Sequence, residues 1–240
     1  MRFINCLLFG ILIMGFGCSP KISDEVKNGW RPLLINQELS NFTKLNGDAE
    51  YYVDKKSIVG VSKMNTPNTF LCTKEMFHDF ILEFEVWADS TLNSGVQFRS
   101  ISDPDIMAGR VHGYQVEIES SSRKWAGGIY DEGRRGWLYS LDSNPEAGDA
   151  FLVNEWNHYR LEAIGNEIIT WVNKVQCTHL IDDVTSSGFI GLQVHSIDDP
   201  KLADKKVKWR NIRIKTRDLD NERWPTSPNV KIINKITNKK

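Results

Sequence analysis

Arg99, Glu117 and His195 are the side chains whose types and spacing suit proton chemistry, because each ends or interrupts a strict apolar/polar alternation. Val96 and Phe98 alternate with Gly95, Gln97 and Arg99; Tyr114, Val116 and Ile118 with Gln115, Glu117 and Glu119; Leu192 and Val194 with Gln193 and His195. A period of two sends successive side chains to opposite faces of a strand. If the three strands share a sheet, one face collects an arginine, a histidine, two carboxylates and three glutamines. Histidine can take a proton near neutral pH, and arginine or histidine can stabilise charge developing on an oxygen. Carboxamides, with donors and acceptors together, suit a ligand rich in hydroxyls. The competing reading is a solvent-facing sheet whose polar residues merely pair across strands.

Glu117 and Glu119 lie about 6.5–7 Å apart along a strand, a spacing compatible with a glycosidase carboxylate pair. Glu83 and Glu85 repeat it, so the spacing alone decides nothing. Trp125, Tyr130, Trp137 and Tyr139 punctuate residues 120–150, where alternation breaks down, and are expected to stack on sugar rings or to pack a loop base. Asp131, Glu132, Arg134 and Arg135 are read as loop charges or rim contacts, Arg134 being taken with Trp125, Tyr130 and Trp137 as ligand-contacting. The chain has no nucleophile elbow, zinc-protease motif, phosphate loop or dinucleotide fingerprint.

These side chains need strands to hold them, and the chain supplies many. Short β-rich runs recur from Trp30 to Lys215, including a hairpin signal around Gly165-Asn166, and a run from Val207 is expected to close the sheet. No long stretch has helical periodicity. The pattern predicts an all-β sandwich or jelly roll of two antiparallel sheets over residues 29–216. Residues 217–240, polar and lysine-rich, read as a tail. Cys72 and Cys177 are either a disulfide or two buried thiols.

The N-terminus belongs to export. A short apolar run, Cys6 to Phe16, follows Arg2, and Gly15-Phe-Gly-Cys18 resembles a bacterial lipobox. Residues 1–17 are expected to be a lipoprotein signal peptide, Cys18 the lipidated residue and 18–28 a polar tether, which places the domain in the bacterial cell envelope, on the periplasmic or surface side. With 30 basic and 31 acidic residues, the chain has no electrostatic footprint for nucleic acid, and membrane contact is expected through the lipid alone.

Asn93-Ser-Gly-Val-Gln-Phe-Arg, Gly113-Tyr-Gln-Val-Glu-Ile, Gly127-Gly-Ile-Tyr-Asp-Glu-Gly-Arg-Arg-Gly-Trp-Leu, Glu155-Trp-Asn-His-Tyr, Trp171-Val-Asn, Leu192-Gln-Val-His and Arg210-Asn-Ile, in that order, resemble the 3-keto-disaccharide hydrolase domain family. Lys174 and Glu119-Ser120 depart from its usual Gly and Asp-Pro. The resemblance implies a concanavalin- or laminin-G-like jelly roll in an exported protein that acts on glycosides oxidised at C3. A ketone there makes the C2 hydrogen acidic, so a base can remove it and expel the C1 substituent; water can then add back. On this reading His195 or Glu117 is the base and Arg99, or a bound divalent metal, the enolate stabiliser. Gln97, Gln115, Glu119, Gln193, Trp125, Tyr130, Arg134 and Trp137 contact the carbohydrate. The alternatives are a non-catalytic carbohydrate-binding jelly-roll lipoprotein and a structural envelope lipoprotein.

Replacing Cys18 by alanine is expected to abolish acylation and release or mislocalise the domain. Metabolic labelling with a fatty acid checks this; unchanged labelling of Cys18→Ala rules the lipobox out.

Overall fold

The computed structural model describes residues 28–236. The proposed signal peptide, Cys18, nearly all of the tether and the last four residues lie outside the described residues. The strands are β1 (Trp30–Pro32), β2 (Phe42–Asn46), β3 (Glu50–Asp54), β4 (Ser57–Val61), β5 (Thr69–Thr73), β6 (Phe80–Ala88), β7 (Asn93–Ile101) and β8 (His112–Glu119). They continue with β9 (Ile129–Glu132), β10 (Gly136–Tyr139), β11 (Asn157–Ile164), β12 (Glu167–Val172), β13 (Val175–Ile181), β14 (Phe189–Val194), β15 (Lys206–Lys215) and β16 (Ile233–Asn234).

Two sheets face each other, as alternation predicts for a sandwich. One runs β10-β9-β8-β7-β14-β5-β2; the other runs β16-β13-β12-β11-β6-β15-β4-β3, with β1 also on β15. Among the described residues every pairing between these strands is antiparallel except the two-residue β13–β16 contact. The core lies between the sheets, where Phe84 stacks on Tyr159 at 5.1 Å and Phe98 on Tyr114 at 5.4 Å.

β15 does not close its sheet; it is held between β6 and β4. Val207 and Trp209 face inward, yet so do Ile212 and Ile214, which have the opposite parity. A bulge reconciles them: pairing with β6 jumps from Arg210–Glu85 to Arg213–Glu83, and Asn211 takes a left-handed φ of 51°. The extra residue flips the alternation and keeps all four apolar side chains in the core.

The expected long loop of residues 120–150 contains the β9–β10 hairpin, which extends the smaller sheet. Tyr139 is fully buried in the core, with its hydroxyl donating to the Lys231 carbonyl at 2.8 Å. Cys72 and Cys177 are free, buried thiols, so the disulfide alternative is not adopted.

Residues 217–236 are packed rather than pendant. They cross the outer face of the larger sheet, where Arg160 and Glu162 are 2% and 1% exposed. Trp224 N donates to Glu162 Oε1 at 2.9 Å, Arg223 pairs with Glu162 and Glu167, Arg160 donates to the Glu222 carbonyl and its guanidinium stacks on Trp224 at 4.7 Å. The strap ends as β16 on the edge of β13.

Truncation after Thr216 strips buried Arg160 and Glu162 of these partners. Arg160 keeps Glu83 and Glu162, but each buried polar group left unmet costs about 1–3 kcal/mol, so urea unfolding of the truncated chain is expected to show a destabilisation in at least that range. A change under about 1 kcal/mol contradicts the strap.

Candidate functional site

The candidate site is the outer face of the smaller sheet, and its centre is β8. All eight residues of β8 are buried, on both faces. Register places Gln115 between Tyr130 of β9 and Gln97 of β7, with Gly191 of β14 beyond. The next row runs Glu117, Gly95, Gln193 and Phe70. Five of the expected residues, Gln97, Gln115, Glu117, Glu119 and Gln193, thus share the face that alternation assigns them.

Being dry, these polar groups must bond one another. Ser100 Oγ donates to Gln97 Oε1 at 2.7 Å, Gln97 Nε2 to Gln115 Oε1 at 2.7 Å, and Gln115 Nε2 to Glu117 Oε2 at 3.2 Å. Asn93 Nδ2 donates to Glu117 Oε1 at 2.5 Å, and Arg123 bridges Glu117 at 3.4 Å and Glu119 at 2.5 Å. Glu119 also accepts from Trp125 N at 2.7 Å. Gly95 makes the chain possible: a Cβ there would stand 2.3 Å from Gln115 Cδ, which lies over it. Gln193 is left out, and its buried Oε1 has no hydrogen-bond partner among the described residues.

Burial, helped by the charge of Glu119, pushes the Glu117 carboxyl up to about 7, against the lowering effect of Asn93, Gln115 and Arg123. The aromatic residues close this end of the face. Trp125 and Tyr130 each meet Trp137 edge-on, at 4.8 and 5.2 Å, and the Arg123 guanidinium stacks on Trp125 at 4.5 Å and Trp137 at 5.0 Å. They pack a carboxylate clamp, with part of each ring exposed.

The other half of the face is apolar. The loop after β7 folds back across the sheet and is pinned to β2, where Asn46 Nδ2 donates to the Gly109 carbonyl and Asn46 Oδ1 accepts from Val111 N, at 2.9 and 2.8 Å. Val111 thereby joins Phe70, Cys72 and Phe189 in a second small core. Beside it opens a cavity of about 540 Å³, lined by Asn46, Asn68, Phe70, Arg110, Glu132 and His195 among others. Arg110 pairs with Glu132 at 2.7 Å. His195 Nδ1 lies 2.7 Å from the Ser196 carbonyl. A carbonyl only accepts, so Nδ1 carries a proton, and in the neutral imidazole Nε2 is the nitrogen with the lone pair.

Arg99 and Arg134 are placed elsewhere. A bulge in β7 gives Arg99 a φ of 45° and carries its side chain off the face. Only 1% exposed, Arg99 donates to the carbonyls of His78, Gly165 and Ala163 and pairs with Asp79 at 2.9 Å, tying β7 to the β11–β12 turn. Gly188 crosses this bulge so closely that a Cβ would lie 2.4 Å from the Arg99 carbonyl carbon. Arg134 pairs with inward-facing Asp131 at 2.6 Å, beside Tyr114.

Glu132 carries the rim position that the sequence allows it, whereas Arg110, Asn93 and Arg123 are absent from the expected set. Asn93 has the parity of Gly95 and Gln97, which marks its face. Arg110 and Arg123 lie in loops without periodicity. No three His, Cys, Asp or Glu side chains converge as a metal cage among the described residues, so the donors present do not form a protein-only site for the divalent ion considered above.

A carboxyl raised from about 4.5 when unfolded to about 7 when folded favours the fold below the lower value and loses that contribution as pH rises through the higher one. The span corresponds to about 3 kcal/mol. The Glu117→Gln variant is expected to lack this fall in stability between about pH 4.5 and 7. Denaturant unfolding at pH 4.5 and 8 checks it; identical pH dependence in both proteins defeats the assignment.

A profile of the family described as the 3-keto-alpha-glucoside-1,2-lyase-like domain matches residues 29–215. No curated protein matches the chain. Among solved structures, a candidate glycosyl hydrolase from Parabacteroides distasonis is similar with a TM-score of 0.59 and 16% identity, over 82% of this chain and 98% of that one. A second from the same organism has a TM-score of 0.54 and 19% identity, over 78% and 98%. A Bacillus subtilis protein of unknown function with a galectin-like fold has a TM-score of 0.56 and 12% identity, over 78% and 94%. These identities speak for a shared jelly-roll architecture. The family match spans β1 to β15, polar face and cavity included, and the chain belongs to the 3-keto-alpha-glucoside-1,2-lyase-like domain family.

Proposed function

We propose that this chain is an exported, lipid-anchored enzyme that cleaves 3-keto-glycosides in the cavity beside His195. The observation that carries the reading is the His195 tautomer: with Nδ1–H held by the Ser196 carbonyl, the basic Nε2 is left for a proton from substrate. The family supports a carbohydrate substrate with a C3 ketone.

In this mechanism Nε2 takes the C2 proton and the C2–H electron pair forms an enolate with its charge on the C3 oxygen. Arg110, held by Glu132, stands at the cavity in the stabilising role first given to Arg99. Collapse of the enolate forms the C1–C2 double bond and expels the C1 oxygen, which takes a proton from solvent. Addition of water, hydroxyl to C1 and hydrogen to C2, completes net hydrolysis. Gln193, beside Phe70 in register, has its Oε1 buried and out of the ligand's reach. Glu117 has both oxygens engaged and serves to hold the polar row.

His195→Ala is expected to lower release of the leaving sugar from a 3-keto-disaccharide about a hundredfold or more. Its stability should change by no more than about 1 kcal/mol, because the ring is only partly buried. Full turnover in the folded variant overturns the assignment, and retention of the disaccharide without turnover by the unaltered protein points to a carbohydrate-binding module.

A further inference from the structure

A second cavity, of about 680 Å³, lies on the larger sheet, away from the His195 side. It opens where the β15 bulge interrupts pairing with β6 at Asn211. The loop after β1 forms one wall, through Asn36 and Gln37, two consecutive left-handed residues with φ of 52° and 59°. Lys56, from the β3–β4 turn, His158 of β11, Glu83, Glu85, Asn211 and Arg213 complete the polar lining, and Pro32 and Leu34 supply apolar surface.

The charges of this lining decide what it would accept. Glu83 receives Arg160 at 2.5 Å and Arg213 at 2.7 Å; Glu85 receives Arg210 at 2.6 Å and Asn211 Nδ2 at 2.8 Å. Both carboxylates are therefore occupied by donors and offer little to a cation. Lys56, by contrast, is exposed and in no ion pair among the described residues. The side chains of Asn36 and Gln37 make no hydrogen bonds among the described residues, and His158 Nε2 is 3.7 Å from Glu83, beyond hydrogen-bond reach. The surplus is thus one ammonium, two carboxamides and an imidazole. That set matches a molecule with one negative group and several hydroxyls, and the volume falls in the range of small-ligand sites, roughly 300–1,000 Å³.

We propose that this cavity binds an acidic saccharide, with its carboxylate on Lys56 and its hydroxyls on Asn36, Gln37 and His158. The inference stands apart from the reaction assigned to His195, and binding can be measured without turnover.

The test is calorimetric titration of the full chain with digalacturonate, with neutral maltose as the control. Digalacturonate is expected to bind, maltose at least tenfold more weakly, and affinity should fall as salt rises. Lys56→Ala and Gln37→Ala, both at exposed positions, should each weaken digalacturonate binding about tenfold or more with unchanged circular dichroism, whereas His195→Ala should bind as the unaltered protein does. No binding at millimolar concentration, equal affinity for maltose, or full affinity in folded Lys56→Ala overturns the proposal. Loss of binding in His195→Ala with Lys56→Ala unaffected does so too, by placing the ligand at the opposite sheet.

Discussion

A strand buried on both faces has to satisfy every polar group it carries, and β8 imposes that requirement on this protein. Tyr114, Val116 and Ile118 fill the core, while Gln115, Glu117 and Glu119 are equally dry on the other side. Unmet buried polar groups cost about 1–3 kcal/mol each, so the outer face must be wired as a chain. The chain from Ser100 through Gln97 and Gln115 to Glu117 is the result. It uses side chains of two strands in one register, and a one-residue slip of β7 against β8 would break its cross-strand link from Gln97 to Gln115. The polar row therefore specifies register as much as it prepares a site.

Much of this was legible in the sequence, because alternation is a local property. Gln97, Gln115, Glu117, Glu119 and Gln193 could be put on one face from parity alone, and their sandwich from the density of short strands. Parity failed at Arg99 because a bulge is a one-residue event with no signature in Phe-Arg-Ser. In β15 the change of parity between Trp209 and Ile212 was written in the sequence, and it marks the bulge for a reader who trusts burial over strict alternation. The β9–β10 hairpin was hidden for another reason: its strands have four residues each, too few to display a period. The Asn46 clasp on Gly109 spans 63 residues, and no local pattern can announce such a contact. The polar composition of residues 217–236 likewise suggested a solvated tail, although its Arg223 and Trp224 complete buried charges on the larger sheet.

The division of the outer face explains why its two acid–base groups differ. Glu117 sits in the wired half, where both oxygens are taken and the carboxyl is buried. His195 borders the half covered by the loop after β7, where Nδ1 is held by a carbonyl and the residue lines a cavity. A group that must exchange a proton with a ligand needs an unoccupied lone pair as well as a suitable pKa. By that criterion Glu117, with both oxygens engaged, serves the structure rather than proton exchange.

The two Glu-x-Glu pairs, alike in sequence, make the same point about environment. Burial raises Glu83 too, but the nearby His158 imidazole and hydrogen bonds from Arg213 and Arg160 outweigh it and bring that carboxyl down to about 2. Around Glu117 the donors are two neutral amides and one distant arginine, and the nearby charge of Glu119 opposes ionisation, so burial prevails and the value rises to about 7. The number of guanidinium groups within reach, rather than the spacing of the carboxylates, separates the two outcomes. Those arginines come from β11 and β15 on one sheet and from a loop on the other, so the difference belongs to topology. A motif of two acids on a strand acquires chemical meaning only once the neighbouring strands are known.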